Sequence, residues 1–216
     1  MATTTTPTFG YDDLPALLTR LTGDEKHDRS SFSTLDVLWV LYDRVLGEAD
    51  RFILSKGHGP AAFYAVLAAK GLIPVDALDG FGEFDSPLGS HPDRNVAPGV
   101  EFSSGSLGHG LGVATGVALT GRRVWCLVGD GELDEGSNWE AVQYAARVGL
   151  GSLTAVVIDN HSAFYGWPEG IDRRFRLEGW TALRVDARDH EALEVALRPD
   201  PEAMRPRCIV AEVRPR

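Results

Sequence analysis

Three short, nearly unbroken apolar runs constrain the fold of this 216-residue chain more than any other feature. They are Val124-Trp-Cys-Leu-Val128, Leu153-Thr-Ala-Val-Val-Ile158 and Cys208-Ile-Val-Ala-Glu-Val213. A strand with one wet face alternates apolar and polar residues. A run without that alternation fits a strand covered on both faces, hence a parallel sheet held between helices. The stretches 138–148 and 190–197 fit the crossover helices such a sheet needs. Upstream, Leu35, Leu38, Trp39, Tyr42, Val45 and Leu46 fall on one helical face. Ser33 and Asp36 are placed as a capping pair for that helix, with Gly47 as its stop. A further helix is expected from Pro60 to Gly71, and residues 80–104 read as an extended loop rich in Gly, Pro and Asp. The fold class is therefore α/β, a parallel sheet with helices on both faces. Residues 21–216 are expected to form one domain and residues 1–20 a flexible N-terminal segment.

Charge and cysteine usage narrow the partners. Twenty-one basic minus 31 acidic residues gives a net charge of −10. With no basic run, this argues against nucleic acid or an anionic membrane as partner. No apolar stretch approaches the ~20 residues that span a bilayer. The segment Met1–Pro7 has neither a charged n-region nor an apolar h-region. Cys126 and Cys208 sit inside apolar runs. They read as small core hydrophobes in a reducing, cytoplasmic setting.

Gly105-Ser-Leu-Gly-His-Gly-Leu-Gly112 invites a dinucleotide-fingerprint reading, which fails. A fingerprint starting at Gly110 needs its third glycine at 115, where Thr115 stands, and no apolar strand precedes it. The segment reads better as a helix from about Ser106 carrying Gly108, Gly112 and Gly116 on one ridge. That ridge allows close approach of a neighbouring backbone or ligand, or tight packing in the core.

Gly129-Asp130-Gly131 follows the first apolar run directly, and Asp159-Asn160 follows the second. Ligands of open α/β sheets bind beyond the carboxyl ends of strands. Glycines there expose backbone N–H groups to phosphate oxygens. An aspartate beside a phosphate would repel it unless a divalent cation lay between them. Asp130 and the Asn160 amide oxygen make a hard-oxygen pair suited to Mg²⁺, which completes its shell with phosphates and water.

With these residues in view, the stretch Gly129-Asp-Gly-Glu-Leu-Asp-Glu-Gly-Ser-Asn-Trp-Glu140, followed by Asp159-Asn160, resembles the thiamine-diphosphate motif of the transketolase family. Asp50-Arg-Phe-Ile-Leu-Ser-Lys-Gly-His-Gly59, Gly89-Ser-His-Pro92 and residues 98–108 resemble other signatures of that family, in the same order. His27 to Ser33 resembles its N-terminal histidine segment. The likeness covers roughly residues 24–213. It implies a thiamine-diphosphate-binding fold, specifically the diphosphate-binding domain. Asp130, Asn160 and a backbone carbonyl near Ser162 would hold the metal. Gly129 and Gly131 would lie against the diphosphate, and Gly105, Ser106 and Leu107 near the aminopyrimidine. His27, His58 and His91 would line the channel for sugar or sugar-phosphate substrates. Imidazoles suit that task, being donors, acceptors and proton shuttles near neutral pH. Glu135 matches an interface glutamate that communicates with the partner's catalytic carboxylate.

Several positions depart from the family pattern. His109 stands where glutamine is usual, and residues 161–167, His-Ser-Ala-Phe-Tyr-Gly-Trp, are bulkier than the family's polar loop. The likeness implies the N-terminal subunit of a split transketolase, completed by a separate pyrimidine-binding subunit in an α2β2 assembly. The alternatives are the α-subunit of a 2-oxo-acid decarboxylating enzyme, or a non-catalytic paralogue that keeps only the fold.

Overall fold

β2 (Val124–Gly129) and β3 (Leu153–Asp159) are buried at every residue, as strands sandwiched between two helical layers must be. They belong to a five-stranded sheet of order β1-β2-β3-β5-β4, in which every neighbouring pair is parallel. The remaining members are β1 (Arg51–Leu54) and β4 (Thr181–Asp186) at the two edges and β5 (Arg207–Glu212) between β3 and β4. The computed structural model describes residues 9–24 and 27–213.

Alternate side chains of each central strand serve opposite cores. Trp125, Leu127, Val156 and Ile158 face a core built with α1 (Leu14–Leu18), α3 (Leu35–Val40), α4 (Ala61–Ala69) and α8 (His190–Leu197). Cys126, Val128, Ala155 and Val157 face a second core with α5 (Gly110–Ala118), α6 (Gly136–Val148) and α7 (Ile171–Leu177). A short α2 (Asp28–Phe32) precedes α3. The crossovers from β1 through β3 to β4 all advance in one direction, and α5, α6 and α7 lie on one face. The step from β4 back to β5 reverses direction. A right-handed crossover must then lie on the other face, where α8 sits.

The expected fold class is the observed one, and the three apolar runs are strands within one residue of their expected limits. β1, β4 and α7 were not anticipated. β4 is an edge strand with most side chains exposed, so it carries no continuous apolar run. The helix around Leu35 starts one residue after Thr34 and ends in a wide π-turn over Leu41–Val45. Its expected capping pair does not form. Ser33 donates to the Ser30 carbonyl, while Asp36 accepts from Tyr11 Oη and is bonded to His190.

The glycine segment also differs. Its helix begins at Gly110 rather than near Ser106, because Gly108 has φ +83° and cannot continue an α-helix. A Cβ there would meet Ser137 Oγ at 2.6 Å and Glu135 Cβ at 2.7 Å. Gly112 and Gly116 have open space beside them, so this face of α5 is uncovered rather than packed in the core. The expected flexible segment differs as well: from Leu14 to Leu18 it is helical, with Leu14, Leu17 and Leu18 buried. Residues 1–8 lie outside the described residues.

α6 stops at Gly149, which adopts the left-handed conformation (φ 69°, ψ 47°) and would bring a Cβ within 3.3 Å of the Met204 carbonyl oxygen. Gly149→Ala should therefore lower stability by about 1–2 kcal/mol, read as a lower urea midpoint with an unchanged slope.

Candidate functional site

The carboxyl ends of β1, β2 and β3 converge on one cleft of about 340 Å³. Its walls include Lys56, His58, Leu107, Gly129, Asp130 and Asn160. Parallel pairing with Gly129 opposite Ile158 brings the Gly-Asp-Gly turn and Asp159-Asn160 to the same level of the sheet.

The cleft is held together from below by Glu132, a residue to which the sequence alone assigns no role. It is 2% exposed. Its carboxylate accepts from Ser55 Oγ at 2.5 Å, Gly108 N at 2.9 Å and Gly129 N at 3.3 Å. Ser55 Oγ in turn accepts from Gly110 N at 3.0 Å. One side chain thus joins the end of β1, the turn before α5 and the end of β2. Burial pushes the Glu132 carboxyl above its ordinary range, and these bonds together with the Lys56 charge oppose that push. The sequence assigns no role to Lys56 either, although it stands inside the Leu-Ser-Lys-Gly-His-Gly signature. It is 4% exposed and donates to Ser30 O at 2.8 Å and to Ser30 Oγ. Desolvation lowers its pKa to about 8, against the pull of Glu132 and Asp130.

Asp130 is 1% exposed and fully engaged by the loop that follows β3. Oδ1 accepts from Gly131 N and Ser162 Oγ, and Oδ2 accepts from Ser162 N and Ala163 N, at 2.6–3.1 Å. Trp167 Nε1 donates to the Asp130 carbonyl at 3.0 Å, fastening the same loop. Asn160 donates from Nδ2 to Ser33 Oγ at 3.1 Å. Its Oδ1 is buried and has no hydrogen-bond partner among the described residues. An orphaned amide oxygen beside a buried carboxylate is the donor set a hard cation would complete. The residues therefore fit a Mg²⁺ ion and a diphosphate. Behind Asn160, Asp159 is clamped by Arg184 Nη1 at 2.7 Å, reaching from β4 across β5.

The three histidines are brought together. The His27 and His58 rings lie 5.6 Å apart, and the charges of both His27 and His91 act on His58. Burial, reinforced by Lys56, His27 and His91, lowers the His58 pKa to about 4. His58 is thus a neutral imidazole at physiological pH. His91 is exposed and its ring lies against Gly105. Leu107 reaches the cleft, whereas Gly105, Ser106 and Glu135 are exposed and line no part of it. His109 is likewise exposed, its ring nitrogen 3.1 Å from the Leu107 carbonyl. His190 is a structural residue, bonded to Asp36 and edge-on to Tyr11.

A three-layer α/β domain with glycine-flanked acid and amide groups at adjacent strand ends is a nucleotide- or diphosphate-type binding architecture. Residues 39–213 match the family described as transketolase, thiamine diphosphate binding domain, and the chain belongs to that family. A protein named ferredoxin fas2 from Rhodococcoides fascians is 52% identical over 95% of this chain and 72% of its own length. An apulose-4-phosphate transketolase subunit of Actinobacillus succinogenes is 40% identical, over 67% of this chain and 58% of that protein. Transketolase of Campylobacter jejuni superposes with a TM-score of 0.76 at 23% identity, which shows the fold; the match covers 94% of this chain and 37% of that one. The chain thus spans a little over half of the apulose-4-phosphate enzyme's subunit and about a third of the Campylobacter transketolase. The two cysteines of this sequence are both free and buried, Cys126 in β2 and Cys208 in β5.

Two outcomes follow from this geometry. Glu132→Ala would leave the Gly108 and Gly129 amides and the Ser55 hydroxyl without their acceptor, and should lower stability by roughly 2–4 kcal/mol in urea denaturation. For His58, the folded chain binds fewer protons than the unfolded one between about pH 4 and about pH 6.5. Stability should fall as pH is lowered through that window and be free of this penalty above it. His58→Gln should flatten that part of the stability–pH curve.

Proposed function

We propose that this chain is the diphosphate-binding subunit of a split transketolase, transferring a two-carbon ketol unit between sugars or sugar phosphates. The observation that carries this reading is the orphaned Asn160 Oδ1 beside Asp130, set between Gly129 and the loop at Ser162. Asp130, Asn160 and the Ser162 carbonyl would hold Mg²⁺. Gly129 and Gly131 would present their backbone to the diphosphate, with the Lys56 ammonium close by as a further positive charge. Thiamine diphosphate, when bound, supplies the carbon nucleophile and electron sink for ketol transfer.

The chain's own contribution is to bind, orient and move protons. Neutral His58 can donate to or accept from a sugar hydroxyl without first losing a proton. His27 stands 5.6 Å away and His91 at the exposed edge, so a polyhydroxylated substrate would meet imidazoles on several sides. Gly105 and Ser106 are proposed to approach the aminopyrimidine, and Glu135 to face a neighbouring protomer; their exposure is consistent with surfaces completed by another chain. Relatives that are themselves named as transketolase subunits support a separate pyrimidine-binding partner, for which an α2β2 assembly is the simplest closed form. The two free, buried cysteines suit a reducing cytoplasm. No helix among the described residues is long and apolar enough to cross a membrane.

Titration calorimetry of the assembled pair tests the cofactor assignment. Asp130→Ala should abolish Mg²⁺-dependent binding of thiamine diphosphate, whereas Ser162→Ala, which keeps the carbonyl, should not weaken it. Replacing His58 or His91 by alanine should lower turnover by about 10²-fold with little change in cofactor affinity. Unchanged affinity in Asp130→Ala would refute the site.

A further inference from the structure

We infer that Asp24 is a positioning residue that fixes the tautomer of His27, an inference that rests on the transketolase reading of the channel. Asp24 is 9% exposed, and its Oδ1 lies 2.8 Å from His27 Nδ1. A second bond ties the same pair through the backbone, from His27 N to the Asp24 carbonyl at 2.9 Å. Asp24 Oδ2 is buried without a hydrogen-bond partner among the described residues. Among the described residues, His27 is the side chain that this carboxylate bonds.

A carboxylate has no proton to give, so the contact requires Nδ1 to carry one. The neutral imidazole then has its lone pair on Nε2, a nitrogen with no hydrogen-bond partner among the described residues. Without the carboxylate, nothing on the described chain would select that form. The tautomer of a histidine is set by the bond its other nitrogen makes, and a wrongly protonated imidazole is a poor base.

The base of the histidine segment is braced from the neighbouring loop. Lys56 donates to the Ser30 carbonyl and hydroxyl within α2, the helix that His27 caps. His27 is thereby held in both position and protonation pattern beside His58, which burial keeps neutral. The two imidazoles have different duties. His27 offers Nε2 as a proton acceptor for a substrate hydroxyl, while His58 serves as an uncharged hydrogen-bonding partner.

The test is a nitrogen-15 spectrum of the full chain labelled at histidine, recorded well above the ordinary histidine pKa of about 6.5. His27 should show a protonated Nδ1 and an unprotonated Nε2. An Nε2-protonated His27 in the wild-type chain overturns the inference, whether or not any variant folds. Asp24→Ala should release that tautomer, and with the pyrimidine-binding partner present should lower kcat by about 10²-fold while moving KM much less. Asp24→Glu, which restores a carboxylate, should recover part of both readouts. An unaltered kcat in Asp24→Ala would overturn the positioning role. A wild-type complex without any ketol transfer would instead defeat the functional reading, and the tautomer measurement would still decide the Asp24–His27 pair.

Discussion

The Glu132 carboxylate is the contact on which the rest of the site depends. A buried anion is expensive unless its lone pairs are filled, and here they are filled by three segments far apart in sequence: Ser55, Gly108 and Gly129. The same desolvation that raises its pKa makes each bond stronger than it would be in water. The result is a rigid floor. Strand ends and a glycine turn that would otherwise move independently are locked into one relative placement.

Above this floor, the labour is divided by element. The ends of β2 and β3 supply the oxygens of Asp130 and Asn160, fixed by the sheet register. The histidines come from loops and from the start of α2, where the backbone is freer and must be braced by specific bonds. Lys56 links the two levels, emerging beside Gly129 and gripping Ser30. The loop at 162–167 closes the far side, its amides saturating Asp130 and Trp167 anchoring it to the Asp130 carbonyl.

The central strands were legible because burial on both faces leaves an unmistakable apolar run. The Asp130–Asn160 pairing was legible because strand ends in a parallel sheet are brought level by register. β4 was not, since an edge strand with Thr181, Leu183 and Arg184 exposed looks like ordinary surface. The start of α5 is not legible because the close approach that excludes a side chain at Gly108 comes from Glu135 and Ser137, residues nearly thirty positions away. Glu132 escaped notice for a related reason. In sequence it is one more acid after a turn, and only tertiary packing converts it into a buried hub. Its clue was chemical: an acid placed directly after Gly-Asp-Gly has to be neutralised by something.

Arg184 extends the reach of the outermost strand to the heart of the crevice. From β4 it passes over β5 to grip Asp159, the residue immediately before Asn160, and it also lies 3.4 Å from Asp172 at the start of α7. The edge of the sheet is thereby mechanically geared to the amide oxygen at its centre. Arg184 belongs to neither core, so its hold on Asp159 is a constraint on the end of β3 that is separate from core packing. The exterior strand thus acts as an outrigger, steadying from outside the cores the strand end on which Asn160 is carried.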